Sequence, residues 1–304
     1  MILKTLLLAF LLGLFPFLSN GQTRFITIDG TKIQIQTKGI ESRKPGQPVV
    51  VFESGLGTPL GNWDTIFDEV ARQAPVVAYD RPGIGDSPSI EEMPTLQNVT
   101  NRLRKMLQSL KLPPPYLLVG HSLGGVYVRG FALYYPQELA GLIIIDPADF
   151  TETCANLGLP WREVGFSQGK VDTLVMERKT GKFKPNAAAP IAIQREGEVL
   201  FDLRQAEFAQ LRSTPLPDIP VAIVTSGRYD PFPGAAAYDE GLFKAKMKHR
   251  IERWTNLMNT IPKGRLFYSA SAGHFVHRDD PMLAVASIQI ALRDYAQGRP
   301  AGKP

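Results

Sequence analysis

The chain has 304 residues, 44% hydrophobic and 21% charged, with a formal net charge of +5 at pH 7. That length and balance exclude a disordered or fibrous chain and leave room for one large α/β domain or two small ones. The basic residues are scattered apart from the run at 244–250, which falls in a helical stretch and reads as a solvated face, so no nucleic-acid partner is expected.

Met1-Ile2-Leu3-Lys4 forms a small positive region, residues 5–18 are almost wholly apolar, and Ser19-Asn20-Gly21 places small residues before Gln22. This is the layout of a secretory signal peptide, 1–21, cleaved near Gly21, and it predicts export to a periplasmic or extracellular space. The apolar run is shorter than the about 20 residues a spanning helix needs. Membrane attachment is therefore expected only if the segment stays uncleaved as an anchor. The single cysteine, Cys154, cannot form an internal disulfide and has no His or Cys at metal-ligand spacing, so it reads as a packed or idle thiol.

Beyond the leader, residues 24–28 and 32–36 alternate apolar and polar side chains around Asp29-Gly30, which predicts a hairpin. Val49-Val50-Val51-Phe52-Glu53 and Val76-Val77-Ala78-Tyr79 are continuous apolar runs of the kind covered on both faces, with a helical pattern between them from Trp63 to Ala71. Residues 95–110 form an amphipathic helix with Leu96, Val99, Leu103, Met106, Leu107 and Leu110 on one side. A strand at 115–119, a helix at 126–135 and a strand at 139–145 follow. The alternation then stops for 148–217, a Gly- and Pro-interrupted stretch that still carries apolar side chains and reads as an insertion. It resumes with a strand at 219–225, a helix at 242–261, a strand at 265–270 and a closing helix at 282–295. Repeated strand–helix units after a hairpin predict a mostly parallel sheet with helices on both faces, and reactive groups gather outside the carboxyl ends of such strands.

Chemistry centres on Gly120-His121-Ser122-Leu123-Gly124, a Gly-x-Ser-x-Gly nucleophile elbow between a strand and a helix. Ser122 needs a general base, and the base needs a carboxylate to fix its tautomer. Of the four histidines, His121 should point away from its neighbour and His249 lies in the basic helical run. His274 follows the last strand, where a strand end delivers it to the site, and His277 is the fallback. For the acid, Asp230 is preferred, because it closes the strand preceding the His-bearing one. Asp146, after the elbow's neighbouring strand, is the runner-up, and Asp279 and Asp280 read as helix caps ahead of Pro281. An oxyanion would be met by the backbone N–H of Leu123 and by one from the Gly55-Leu56-Gly57 loop, with Leu56 favoured.

The ordered set Glu53-Ser54-Gly55-Leu56-Gly57, Asp80-Arg81-Pro82-Gly83-x-Gly85-x-Ser87, Gly120 to Gly125, Gly227-Arg228-Tyr229-Asp230-Pro231 and Gly273-His274 resembles the α/β-hydrolase superfamily. The resemblance runs from about Phe25 to Tyr295. It implies an eight-stranded, mostly parallel sheet with a helical cap inserted after the sixth strand, and so a core of 22–146 and 219–304 and a cap of 147–218. It also implies Ser122 as nucleophile, His274 as base and Asp230 as orienting acid. Many relatives begin the oxyanion loop with His-Gly, whereas this chain has Ser54-Gly55, which alters a side chain and leaves the backbone donor in place. A serine at the elbow argues against the dehalogenase and epoxide hydrolase branches, which use Asp there.

The expected function is an exported serine hydrolase cleaving a carboxylic ester or related acyl bond of a small molecule. Acyl transfer, amide or peptide cleavage and carbon–carbon hydrolysis by the same residues are the alternatives, and a non-catalytic ligand-binding protein is the alternative of another class. No cofactor or metal is expected: Gly83-x-Gly85 lacks the third glycine of a nucleotide loop. Trp161, Phe166, Phe183 and Phe201 are candidates for pocket walls or for cap packing.

Overall fold

The computed structural model describes residues 22–231 and 239–298. The expected leader, 1–21, lies outside them. The hairpin forms as β1 (Gln22–Ile28) and β2 (Thr31–Lys38), with Asp29 and Gly30 both at positive φ. The apolar runs form β3 (Val49–Glu53), β4 (Val76–Tyr79), β5 (Tyr116–His121), β6 (Leu139–Ile145), β7 (Val221–Ser226) and β8 (Gly264–Ser269). They make an eight-stranded sheet in the order β1-β2-β4-β3-β5-β6-β7-β8. Pairings from β4 to β8 are parallel; β2 joins β1 and β4 antiparallel.

Because strand side chains alternate faces, β3 divides the core. Val49 and Val51 face one apolar layer, covered by α2 (Leu96–Ser109), α3 (Leu123–Tyr134) and α9 (Glu240–Met258). Val50 and Phe52 face the other, covered by α1 (Asp64–Ala71) and α11 (Pro281–Gln297). Thr95 caps α2 by accepting from the Asn98 N–H, and Asp280 caps α11 by accepting from Leu283, so that expected cap is present. Asp279 instead belongs to a short helix, α10 (Val276–Asp279), that periodicity could not reveal in four residues.

Between β6 and β7 the insertion folds as five helices: α4 (Cys154–Leu157), α5 (Leu159–Glu163), α6 (Gln168–Thr180), α7 (Ile191–Gln205) and α8 (Ala209–Ser213). The long α7 docks onto the carboxyl ends of β3 and β4. Its approach explains Gly83, where an added Cβ would sit 2.3 Å from that of Ala192. Trp161 packs on Phe166, with ring centroids 4.9 Å apart, and Phe183 packs on Phe201 at 5.9 Å. These four aromatics pair with one another within the cap. The basic run on α9 is only partly a solvated face: Lys244 and Lys248 are exposed, whereas Lys246 and Arg250 are half-buried beneath the cap. No helix among the described residues is long and apolar enough to cross a membrane.

Candidate active site

The turn from β5 into α3 leaves Ser122 at φ 54° and ψ −117°, a conformation that L side chains rarely adopt. The backbone there is gripped from both sides. The Ser122 N–H donates to the Ile145 carbonyl at 3.0 Å, and the Ser122 carbonyl accepts from Gly125 at 3.0 Å and Ala148 at 3.3 Å. A Cβ at Gly124 would lie 2.1 Å from the Glu53 carbonyl oxygen, so the sharp turn and the end of β3 can pack only with glycine there. Leu123, buried, opens α3, where the first N–H groups of a helix have no intrahelical acceptor.

The structure brings His274 to Asp146, and Asp230 goes elsewhere. His274 Nδ1 lies 2.7 Å from Asp146 Oδ2. A carboxylate only accepts, so Nδ1 carries the proton and Nε2 is left with a lone pair. Asp146 follows β6 directly, in a positive-φ conformation, with its side chain 5% exposed. Its other oxygen, Oδ1, accepts from Ser226 Oγ at 3.1 Å and Thr225 Oγ1 at 3.2 Å. Burial pushes the Asp146 carboxyl up, but the His274 hydrogen bond and the nearby Arg250 charge outweigh it and hold the group below the usual carboxylate range. Asp230 stands four residues beyond β7 with its side chain 56% exposed, and Arg228, two residues earlier, binds it at 2.8 Å. The preference for Asp230 is therefore corrected. A neighbouring guanidinium captures that carboxylate before it can reach an imidazole.

The loop carrying His274 is fixed at several points. The Ala272 carbonyl accepts from the N–H groups of Gly227 and Arg228, and the Asp279 carboxylate accepts from the Gly273 N–H at 2.7 Å and from Arg228 at 2.9 Å. His121 is not a base, yet it is not idle. Its Nε2 lies 2.9 Å from the His274 carbonyl oxygen, where it donates, and the two rings pack 4.6 Å apart. The residue before the nucleophile thus tethers the histidine's backbone. Burial and the neighbouring His274 push the His121 imidazole down to about 3. The fallback histidine, His277, is wholly buried against Trp63, with ring centroids 4.5 Å apart, and burial together with His121 pushes it down to about 2. His249 bridges α9 to the cap through Glu163 at 2.8 Å. Cys154 is a free, half-buried thiol with no part in the site.

Sequence reasoning missed a buried ionic group beneath the loop at 54–57. Arg81, its side chain 3% exposed, binds Glu53 at 2.6 Å from β3 and Glu196 at 2.6 Å from α7 of the cap. Tyr79 donates its hydroxyl to Glu53, and Glu196 accepts from the Gly57 N–H at 2.8 Å. Arg81 also donates to the carbonyls of Ser54 at 2.6 Å and Gly55 at 2.7 Å. In a trans peptide the C=O and the next N–H point in opposite directions. Capturing the Gly55 carbonyl therefore turns the Leu56 N–H away from Arg81. A Cβ on Gly55 would lie 3.3 Å from that of Ser122, which puts this loop against the nucleophile turn. The Ser54 hydroxyl accepts from Trp63 Nε1 at 2.9 Å and so braces the loop from below. Glu53 and Arg81 stand inside motifs visible in the sequence; Glu196, 115 residues from Arg81, carries no local signal.

Residues 50–288 match the model of the alpha/beta hydrolase family, and the chain belongs to that family. Among curated proteins it is 32% identical over 123 residues to the uncharacterized protein YqjL of Bacillus subtilis, covering 40% of this chain and 47% of that one. It is 36% identical over 103 residues to the putative carbamate hydrolase RutD of Cronobacter turicensis, covering 34% and 38%. The matches span less than half the length of these relatives. The enol-lactonase of Burkholderia xenovorans LB400 superposes with a TM-score of 0.57 at 15% identity, over 89% of this chain and 100% of that one. Among the described residues no cluster of His, Cys, Asp or Glu is arranged to hold a metal ion.

Two predictions follow from this geometry. In Glu196→Gln, Arg81 keeps Glu53 as its charged partner while the Gly57 contact loosens. On the acyl-hydrolase reading proposed below, kcat on p-nitrophenyl butyrate should fall about 10–100-fold with KM changed far less, since a misaimed oxyanion donor is felt mainly in the transition state. An unchanged kcat in a folded variant would remove the positioning role. The second concerns acid stability. His121 and His277 have folded values of about 3 and about 2, below the unfolded value, so the native chain binds fewer protons than the unfolded one across that window. Stability is full above about pH 6.5 and falls as pH drops below it, with a slope approaching about 2.7 kcal/mol per pH unit for two protons. Urea midpoints measured from pH 7 to 4 should show this, and His277→Phe should remove about half the slope. A flat profile down to pH 5 would contradict it.

Proposed function

We propose that the chain is an exported serine hydrolase that cleaves a carboxylic ester or related acyl bond through an acyl-enzyme on Ser122. The observation that carries the reading is the 2.7 Å His274–Asp146 hydrogen bond, which leaves Nε2 of His274 as a base in a loop tethered to the residue before Ser122. The left-handed serine turn supports the nucleophile role. Asp146, the alternative acid of the sequence reading, takes the orienting role.

Ser122 Oγ attacks the carbonyl carbon as His274 Nε2 takes its proton, and the carbonyl oxygen becomes an oxyanion held by the Leu123 and Leu56 N–H groups. Collapse breaks the bond to the leaving group, which receives the proton from His274. A water molecule then gives its proton to His274 and attacks the acyl-enzyme, and the returning proton restores Ser122. Asp146 stays ionised and stabilises the imidazolium. Carbamate and enol-lactone, the compounds in the names of two similar proteins, both present a carbonyl to such a nucleophile, and this supports acyl hydrolysis as the class. The apolar leader-like segment supports export.

A fluorophosphonate probe should label the protein at Ser122 and fail to label Ser122→Ala. Asp146→Asn should lower kcat for p-nitrophenyl esters by about 10⁴-fold, the usual cost of losing the orienting carboxylate. Asp230→Asn should leave it within about 3-fold, since surface substitutions of this kind act weakly. The reverse ranking of the two variants, or an unlabelled wild type, would refute the assignment.

A further inference from the structure

A cavity of about 240 Å³ lies between the cap and α9, on the Asp146 side of the strand ends. Its lining carries five cations, Arg178, Arg204, Lys246, Arg250 and Arg253, against two carboxylates, Asp149 and Glu152. The excess is three positive charges. Each carboxylate is already engaged: Arg253 donates to Asp149, and Arg178 binds Glu152 at 2.6 Å. Arg250 lies 3.7 Å from Asp149 and 3.9 Å from Asp146, and its guanidinium stacks over Trp254. Among the described residues the Arg204 side chain makes no hydrogen bond or ion pair, although it stands beside Arg178. Arg204 lines the cavity while remaining exposed to solvent, whereas burial lowers the affinity of the half-buried Lys246 for a proton, with Glu152 opposing that shift and Arg250 and Arg178 adding to it.

Four of the five, Arg178, Lys246, Arg250 and Arg253, are half-buried, and gathering like charges in a partly desolvated space opposes folding unless something offsets them. An ordinary solvated basic face spreads its cations outward, as Lys244 and Lys248 do. These five converge from α6, α7 and α9 on one space. Guanidinium groups pair bidentately with carboxylate and phosphate oxygens. At about 240 Å³ the space is below the about 300–1,000 Å³ of sites for drug-sized ligands, which selects a compact group. We propose that this cavity is an anion-binding site that takes a small ligand bearing a carboxylate or phosphate group, with Arg204 and Arg250 as its principal donors. Through Arg250, 3.9 Å from Asp146, the bound anion adjoins the acid of the catalytic set.

The inference is independent of the hydrolase reading, and its test keeps the two apart. Calorimetric titration of the Ser122→Ala chain at low ionic strength with inorganic phosphate, and separately with succinate, should give saturable one-to-one binding. Arg204→Gln should weaken that binding at least about 10-fold, Arg204→Lys should retain part of it, and both should melt at the wild-type temperature. Absence of saturable binding for both anions, or equal binding by Arg204→Gln, would overturn the site. The source of the anion is read from hydrolysis by the wild type. A preference for p-nitrophenyl hemisuccinate over p-nitrophenyl butyrate, lost in Arg204→Gln and competed by phosphate, assigns the site to the substrate's own anionic end. Phosphate binding without that preference assigns it to a free ligand, and either result upholds the site.

Discussion

Arg81 is the residue on which the site's architecture turns. A guanidinium shut away from water must have its charge and its donors met, and here each of its three nitrogens has a partner among one carboxylate from the core sheet, one from the cap and two carbonyls of the loop beside Ser122. Removing one partner of such a pair ordinarily costs about 3–5 kcal/mol. The cap, the loop at 54–57 and the third strand are therefore not separately adjustable. Placing α7 and orienting the Gly55–Leu56 peptide are the same event.

The proposed triad, Ser122, His274 and Asp146, is held differently. Its members come from the ends of β5, β6 and β8, and the tethers act on backbone: His121 on the His274 carbonyl, Asp279 on the Gly273 N–H, Ile145 on the Ser122 N–H. The chain that carries Ser122 and His274 is thereby fixed, while the Asp146 carboxylate is held through its Oδ1 by Ser226 and Thr225. The buried histidines fit this arrangement because a neutral imidazole in an apolar wall adds no charge to compete with the His274–Asp146 pair.

Much of this was legible in the chain itself, for identifiable reasons. Strands covered on both faces show as unbroken apolar runs, and the elbow announces itself through glycines that backbone contact demands. The strained turn at Ser122 and the strand-end loop that carries His274 were readable because their signals are local. The acid was not, since Asp146 and Asp230 both follow strands and both precede proline. What separates them is spatial: Asp146 turns inward on a left-handed residue at the strand end, and Asp230 is intercepted by Arg228. That second fact had a trace in the sequence, an arginine two residues earlier. Glu196 had none, because a lone glutamate on a cap helix looks like any solvated residue until Arg81 is placed beneath it.

Helix α6 buries a single residue, Val171, and carries Arg178 into the wall of the basic cavity. Its hold on the rest of the molecule is thus small compared with that of α7, and segments with few buried contacts are the first to open by local unfolding. Local unfolding of α6 would expose little apolar surface while uncovering the basic residues of the cavity. Access to that interior is then a matter of the local stability of one helix rather than of any global rearrangement. An arriving anion, by supplying the missing counter-charge, would close the entrance behind itself.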